Sequence, residues 1–335
     1  MVYPNRRNGS VSDSESQDES AQTETMIGWA DVRELLKSFV TTHAQKLAFV
    51  SAVSAWDSAL DAVAADFVQR KLVSVCGDDG QLLPQIDGDS MTLLDAVKQG
   101  FLSTGGDERT LTPRSGGTPG ACPVVHRLAL FKGGHISAIL SQSDIMTYLL
   151  RQSSLMGPEL CGATVDQLGF AGGRRVVCVT PSTPTHAAFT IMFSHGVSGV
   201  GVVGAQEELL GNLSASDLRR LQPHNLRVLA LPIGEFLAAL YGEPVAGYAP
   251  SADTYLQFAR GPPGSAAVRK PVTVEPHTPF LSVLELLGSS SPRIHRVYVT
   301  EHGRPIGVIT ATDVLRMLAK REGGATEMVS PMDSQ

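Results

Sequence analysis

The sequence predicts an α/β protein built from tandem strand-helix-strand-strand-helix units, with the first pair of units degenerate. Three observations carry this expectation. Segments beginning at Val125, Val197 and Ile294 each read as apolar strand, polar turn, apolar strand, [ST]-x-[ST]-D and amphipathic helix. "VTPSTPTHAAFTIM" from Val179 and "VEPHTPFLSVLELL" from Val274 share V-x-P-x-T-P ahead of a helical pattern. Finally, one such unit spans about 46 residues and leaves one face of its small sheet uncovered, so units are expected to pair.

Taken in order, residues 1–25 carry "SVSDSESQDESAQTET" and read as a disordered, acidic, Ser-rich tail. Residues 45–150 hold repeats 1 and 2, with repeat 1 incomplete. In one parse Leu47–Val75 opens repeat 1, with Ser54 as helix cap. Gln85–Ser103 then opens repeat 2, with Ser90 as cap, and residues 104–121 form a Gly/Pro/Thr loop inside it. In the other parse, residues 90–103 close repeat 1 and repeat 2 lacks its first helix. Residues 151–175 form a linker in which "ATVDQLGF" reads as a short helix leading into repeat 3, at 176–221. A second linker, 222–270, carries the amphipathic "LPIGEFLAALYG" and a flexible "GPPGSAAVRK" before repeat 4 at 271–320, followed by a tail at 321–335. Thr183 and Thr278 suit helix N-caps, with Pro184 and Pro279 at the first helical position. Phe280, Val283, Leu284 and Leu287 fall on one helical face. The hairpin turns carry Gly133-Gly134 and Gly303.

With 335 residues, 42% hydrophobic and 18% charged, the chain can bury a real core. A net charge of -6 argues against nucleic acid or an anionic membrane as partner. Cys76, Cys122, Cys161 and Cys178 lack metal-site spacing and read as core thiols in a reducing compartment. No apolar run reaches 18 residues and no signal pattern is seen, so the expected location is cytoplasmic and/or nuclear.

The [ST]-x-[ST]-D element places hydroxyls and a carboxylate where a strand meets a helix N-terminus, where free N–H groups suit a phosphate. The carboxylate accepts only, so it can hold a pair of sugar hydroxyls. The motif residues are Ser141, Ser143 and Asp144; Ser214, Ser216 and Asp217; and Thr310, Thr312 and Asp313. A His-Arg pair stands 18 residues before the Asp in two copies, as His126-Arg127 and His295-Arg296, and supplies cationic donors. Repeat 3 has Val197-Ser198-Gly199 there instead. Capping alone explains any one copy; three copies retaining both hydroxyls and the Asp favour ligand binding. An enzyme is not expected. Gly199-x-Gly201-x-x-Gly204 lies within a strand, and no helix opens after it. His186 and His195 read as core or surface residues.

On these motifs the chain resembles CBS-repeat proteins, in particular the gamma regulatory subunits of the SNF1/AMP-activated protein kinases, including their plant-type gamma-like branch. "IHRVYVTEHGRPIGVITATDVLRML" is similar to the last repeat of those subunits and "VSGVGVVGAQEELLGNLSASDL" to the third. The resemblance implies CBS repeats paired into two Bateman modules, the first degenerate. It implies AMP, ADP or ATP as regulatory ligands in the clefts, with no cofactor required. Asp144, Asp217 and Asp313 would hold ribose, and the hydroxyl and His-Arg residues would hold base or phosphates. It further implies a catalytic alpha subunit and a beta scaffold as partners. The alternative is a free-standing CBS adaptor regulating another protein, with an adenosyl ligand or none.

Overall fold

The computed structural model of the chain describes residues 36–38, 40–44, 62, 66, 69, 86–87, 91–102, 125–132, 135–172, 175–221, 228–241, 245, 248, 270–289 and 293–326. The acidic tail, almost all of the first repeat's opening with Ser54, the Ser90 cap, the loop 104–121, the Gly133-Gly134 turn, Cys76 and Cys122 lie outside them.

Three three-stranded sheets share one topology. The first contains β1 (Ile86–Asp87), β2 (Arg127–Lys132) and β3 (His135–Ser141). The second contains β4 (Cys178–Val179), β5 (Gly199–Val203) and β6 (Leu209–Ser214). The third contains β7 (Thr273–Val274), β8 (Arg296–Glu301) and β9 (Arg304–Thr310). In each, a two-residue strand pairs parallel with the middle strand, which forms an antiparallel hairpin with the third. Registers correspond: Arg127 opposes Ser141, Gly199 opposes Ser214, and Arg296 opposes Thr310. A bulge recurs three residues into each middle strand, at Leu130/Phe131, Val202/Val203 and Val299/Thr300. The β8–β9 turn puts His302 and Gly303 at φ 50° and 79°, the left-handed pair that a tight hairpin requires.

β1 pairs with β2, so Ile86 and Asp87 stand in the same sheet as β2 and β3. The helix after β1 begins as α1 (Leu93–Asp95) and continues as a π turn, Ala96–Phe101. Its cap is Thr92 and not the expected Ser90, because the helix starts at Leu93 and it is the Thr92 hydroxyl that accepts from Asp95 N, at 3.1 Å.

The other openings differ from expectation at the cap. α4 (Thr185–Ser194) and α6 (Phe280–Ser289) begin one residue after the prolines. Thr183 and Thr278 instead close the turn before the helix: their hydroxyls accept from Thr180 N and Glu275 N at 3.2 and 3.0 Å. Pro184 is extended, with φ -58° and ψ 135°, so the helical N–H groups start at Thr185. Those groups are satisfied by linker carbonyls: Thr185 N donates to Leu231 O at 2.9 Å and Phe280 N to Ala163 O at 2.8 Å.

The linkers therefore dock on the repeats. α5 (Ile233–Tyr241) packs on the third repeat through the Pro184–Pro232 bridge. The segment after α3 (Gly157–Gly162) packs on the fourth repeat through the Thr164–Pro279 bridge. "ATVDQLGF", expected as a helix entering repeat 3, is a pair of hydrogen-bonded turns held on repeat 4 by Val165 N to Thr278 O, 3.0 Å, and Asp166 N to Pro276 O, 2.9 Å. The tertiary contact outweighs local helix propensity here.

Two cores result. One gathers Phe189, Met192, Val200, Val202, Leu213 and Phe236 of the third repeat and α5, with Leu36 and Val40 from the N-terminal part. The other joins the second and fourth repeats. In it α2 (Gln142–Arg151) packs on α6, burying Ile145 and Met146 with the predicted face Phe280, Val283, Leu284 and Leu287. α7 (Ala311–Thr326) closes the fourth repeat.

Candidate functional site

Each [ST]-x-[ST]-D element ends a strand and starts a helix. Ser141, Ser214 and Thr310 are the turning points. Their backbone N–H groups donate to Oδ2 of Asp144, Asp217 and Asp313 at 2.9, 2.8 and 2.9 Å. The Ser141 and Thr310 hydroxyls add a second bond to the same oxygen, 2.6 Å each. One carboxylate oxygen in every copy thus serves a capping box. That leaves Oδ1 to face something else, and the three copies differ there.

Asp144 Oδ1 faces Arg293, 3.6 Å away, which comes from the fourth repeat. Asp313 Oδ1 faces Arg316 of its own helix at 3.7 Å. Asp217 Oδ1 accepts from the Tyr241 hydroxyl, 2.5 Å away, on α5. Burial separates them further: the side chains of Asp144 and Asp313 are 45% and 18% exposed, whereas Asp217 is 6% exposed as a residue. The third copy also departs from the expected amphipathic α-helix. Ala215–Arg220 is a 3-10 helix that ends with Leu221 extended at ψ 136°.

In the third repeat the position of Arg127 and Arg296 is taken by Gly199. Arg296 leaves its own repeat and lies over Gly199, where a Cβ would stand 1.3 Å from its Nη1. There Arg296 donates to Ser198 Oγ at 2.9 Å and Asn212 Oδ1 at 3.5 Å. The Tyr298 hydroxyl donates to the same Asn212 oxygen at 2.6 Å, and Leu209 N bonds Gly303 O at 2.9 Å. The third and fourth sheets are thereby coupled, and one guanidinium serves both. His295 and Arg127 are exposed, and His126 is half-buried. Of the second hydroxyls, Thr312 is buried and donates to Gln142 Oε1 at 3.0 Å, tying the fourth repeat to the second. Ser143 and Ser216 are half-buried, and Ser216 N donates to Ser214 Oγ at 3.2 Å.

Sequence reasoning missed Arg293, Tyr241 and Gln142. Arg293 lies two residues before the His-Arg pair, so "RIHR" was a readable signal; nothing in the linker marks Tyr241.

Electrostatics follow this geometry. Partial burial acts to raise the Asp144 carboxyl, but the Ser141 bonds and the Arg293 charge outweigh it and hold the group below the usual range. Burial dominates at Asp217 and pushes it up, against Tyr241, Ser214, Arg220 and Arg296. A depressed Asp stabilises the fold above its unfolded pKa, and that contribution is lost as pH falls through the folded value. Arg293→Ala is therefore expected to move the Asp144 titration upward and shrink the stability that Asp144 contributes above its unfolded pKa. Carboxyl NMR titration reads this; an unchanged Asp144 midpoint would show that Arg293 does not act on it. Because both side chains are largely exposed, the pair itself contributes little to stability.

An Asp with Oδ2 in a cap and Oδ1 beside an arginine has the chemistry of a hydroxyl acceptor next to guanidinium groups suited to a phosphate. Among the described residues no group of His, Cys, Asp and Glu is placed to hold a metal. No helix among them is long and apolar enough to cross a membrane.

The family model described as "CBS domain" matches residues 173–224 and 264–320, so these segments are CBS domains. Among curated proteins, Protein SDS23 of Podospora anserina is 26% identical over 196 residues, 57% of this chain and 34% of that protein. The chain thus matches about a third of that relative's length. Among solved structures, protein MJ1225 from Methanocaldococcus jannaschii, described as a proposed archaeal homologue of g-AMPK, superposes with a TM-score of 0.53 at 11% identity. The alignment covers 89% of this chain and 86% of that one. The CBS domain pair of MJ0100, solved with 5'-methylthioadenosine and S-adenosyl-L-methionine, covers 48% of this chain and 98% of its own, at 13% identity and TM-score 0.31.

Proposed function

A protein with CBS domains and the tandem CBS fold, this chain is, we propose, an adenine-nucleotide-sensing regulatory subunit of gamma type for a kinase of the SNF1/AMP-activated class. AMP, ADP or ATP is its ligand, a catalytic alpha subunit and a beta scaffold are its partners, and the cytoplasm or nucleus is its place of action. The observation that carries this reading is the arrangement at Asp144 and Asp313. Each carboxylate gives one oxygen to its helix cap and sets the other beside an arginine, Arg293 or Arg316. The oxygen beside the arginine takes a ribose hydroxyl, and the cations on the strand starts take the phosphates. The description of MJ1225 and the resemblance of the last repeat agree with it.

Titration calorimetry of the full chain with AMP and ATP tests the ligand. Asp313→Asn keeps the shape of the cap and removes the charge. A lost charged hydrogen bond is about 1.5–3 kcal/mol, so binding at that site is expected to weaken roughly 10- to 100-fold. No binding by the wild-type chain would sink the sensing role. Affinity capture from source cells tests the partner. Recovery of a kinase catalytic subunit supports the reading, and capture of an unrelated client in its place supports a free-standing CBS adaptor.

A further inference from the structure

The three Asp copies are alike up to the capping box and part company at Oδ1. In the third, Ser214 N donates to Oδ2 at 2.8 Å and the Tyr241 hydroxyl donates to Oδ1 at 2.5 Å, where the other two copies set an arginine 3.6 and 3.7 Å away. Tyr241 is the last residue of α5, and that helix is firmly seated. Ile233, Phe236, Leu237 and Ala238 are buried against the third repeat, and Leu231 O takes both the N–H and the hydroxyl of Thr185 at 2.9 and 2.8 Å. The ring is covered in turn. Arg220 Cζ lies 4.5 Å from its centroid, and Arg220 Nη1 reaches Leu240 O at 3.5 Å. Asp217 is consequently the most buried of the three carboxylates.

We propose that Tyr241 is an internal occupant of the third repeat's pocket: its phenol holds on Asp217 the position that a ribose hydroxyl takes on Asp144 and Asp313. The third repeat then takes no adenine nucleotide while Tyr241 is in place, and the chain senses through its second and fourth repeats. This rests on the reading of the repeat Asp as a sugar acceptor given above. A phenol O–H and a sugar O–H present the same donor to a carboxylate, so the two compete for one oxygen.

Calorimetric titration of the full chain with AMP decides it by stoichiometry. Tyr241→Phe keeps the ring beneath Arg220 and removes only the hydroxyl, and is expected to gain one site per chain relative to wild type. Tyr241→Phe/Asp217→Asn is expected to lose that gain. Asp217→Asn alone, which does not depend on how Tyr241→Phe folds, is expected to leave the wild-type number of sites unchanged. A drop of one site in Asp217→Asn, or a folded Tyr241→Phe chain with no added site, overturns the latch while wild-type binding upholds the sensing role. Absence of AMP binding in wild type and Tyr241→Phe alike overturns both.

Discussion

Phe280→Ala is expected to lower stability by about 3–5 kcal/mol, the range for an aromatic removed from a packed core. Phe280 is fully buried at the first position of α6, and its N–H is held by Ala163 O at 2.8 Å. It lies in the core shared by the second and fourth repeats, with Ile145, Met146 and Leu128 from one and Val297 and Ile309 from the other. The surrounding backbone is pinned by the Thr164–Pro279 bridge, so the cavity has little freedom to collapse. Denaturant unfolding measures the loss. A change under about 1 kcal/mol would mean that this core is not shared between repeats in the way described.

Gly307→Ala is the second large effect. A Cβ at Gly307 would meet the Phe170 carbonyl oxygen at 2.3 Å and Val299 Cβ at 3.3 Å. The obstacle is backbone, and it is fastened: Phe170 N bonds Val165 O at 3.0 Å and Gly172 N bonds Ile306 O at 3.2 Å. Relief requires the linker turn to lift from β9. The expected cost is about 1–3 kcal/mol, as for overpacking elsewhere. Gly162→Ala is the control, because nothing lies within 4 Å of its added methyl. It is expected to stay within about 0.5 kcal/mol of wild type. Equal melting of the two variants would remove the argument that the linker clamps the fourth repeat.

The repeat was legible because it is written in local chemistry. Short apolar runs mark β8 and β9, Gly303 marks their turn, and Thr310 with Asp313 marks the helix start; each signal spans only a few residues. The face Phe280, Val283, Leu284, Leu287 was readable for the same reason. The helices start at Thr185 and Phe280, one residue later than the local pattern predicts, because their N–H partners, Leu231 O and Ala163 O, lie in distant linkers. The two parses of the second repeat could not be separated from residue pattern either. The parallel pairing of Ile86 with Leu130 and Asp87 with Phe131 is a contact across more than 40 intervening residues, and no local pattern encodes it.

The site divides along the same line. The sequence by itself determined which residues recur: the hydroxyls, the three Asp residues and the His-Arg pairs. A capping box needs only residues three apart, so Asp144, Asp217 and Asp313 were bound to sit at helix starts. Tertiary structure decided what each carboxylate faces. Arg293 reaches Asp144 from another repeat, Arg296 crosses to fill the space over Gly199, and Tyr241 closes on Asp217 from a linker helix. These partners are set by how repeats and linkers dock, which depends on apolar faces buried over long sequence separations. Three motifs nearly identical in sequence therefore meet an arginine in two copies and a tyrosine hydroxyl in the third.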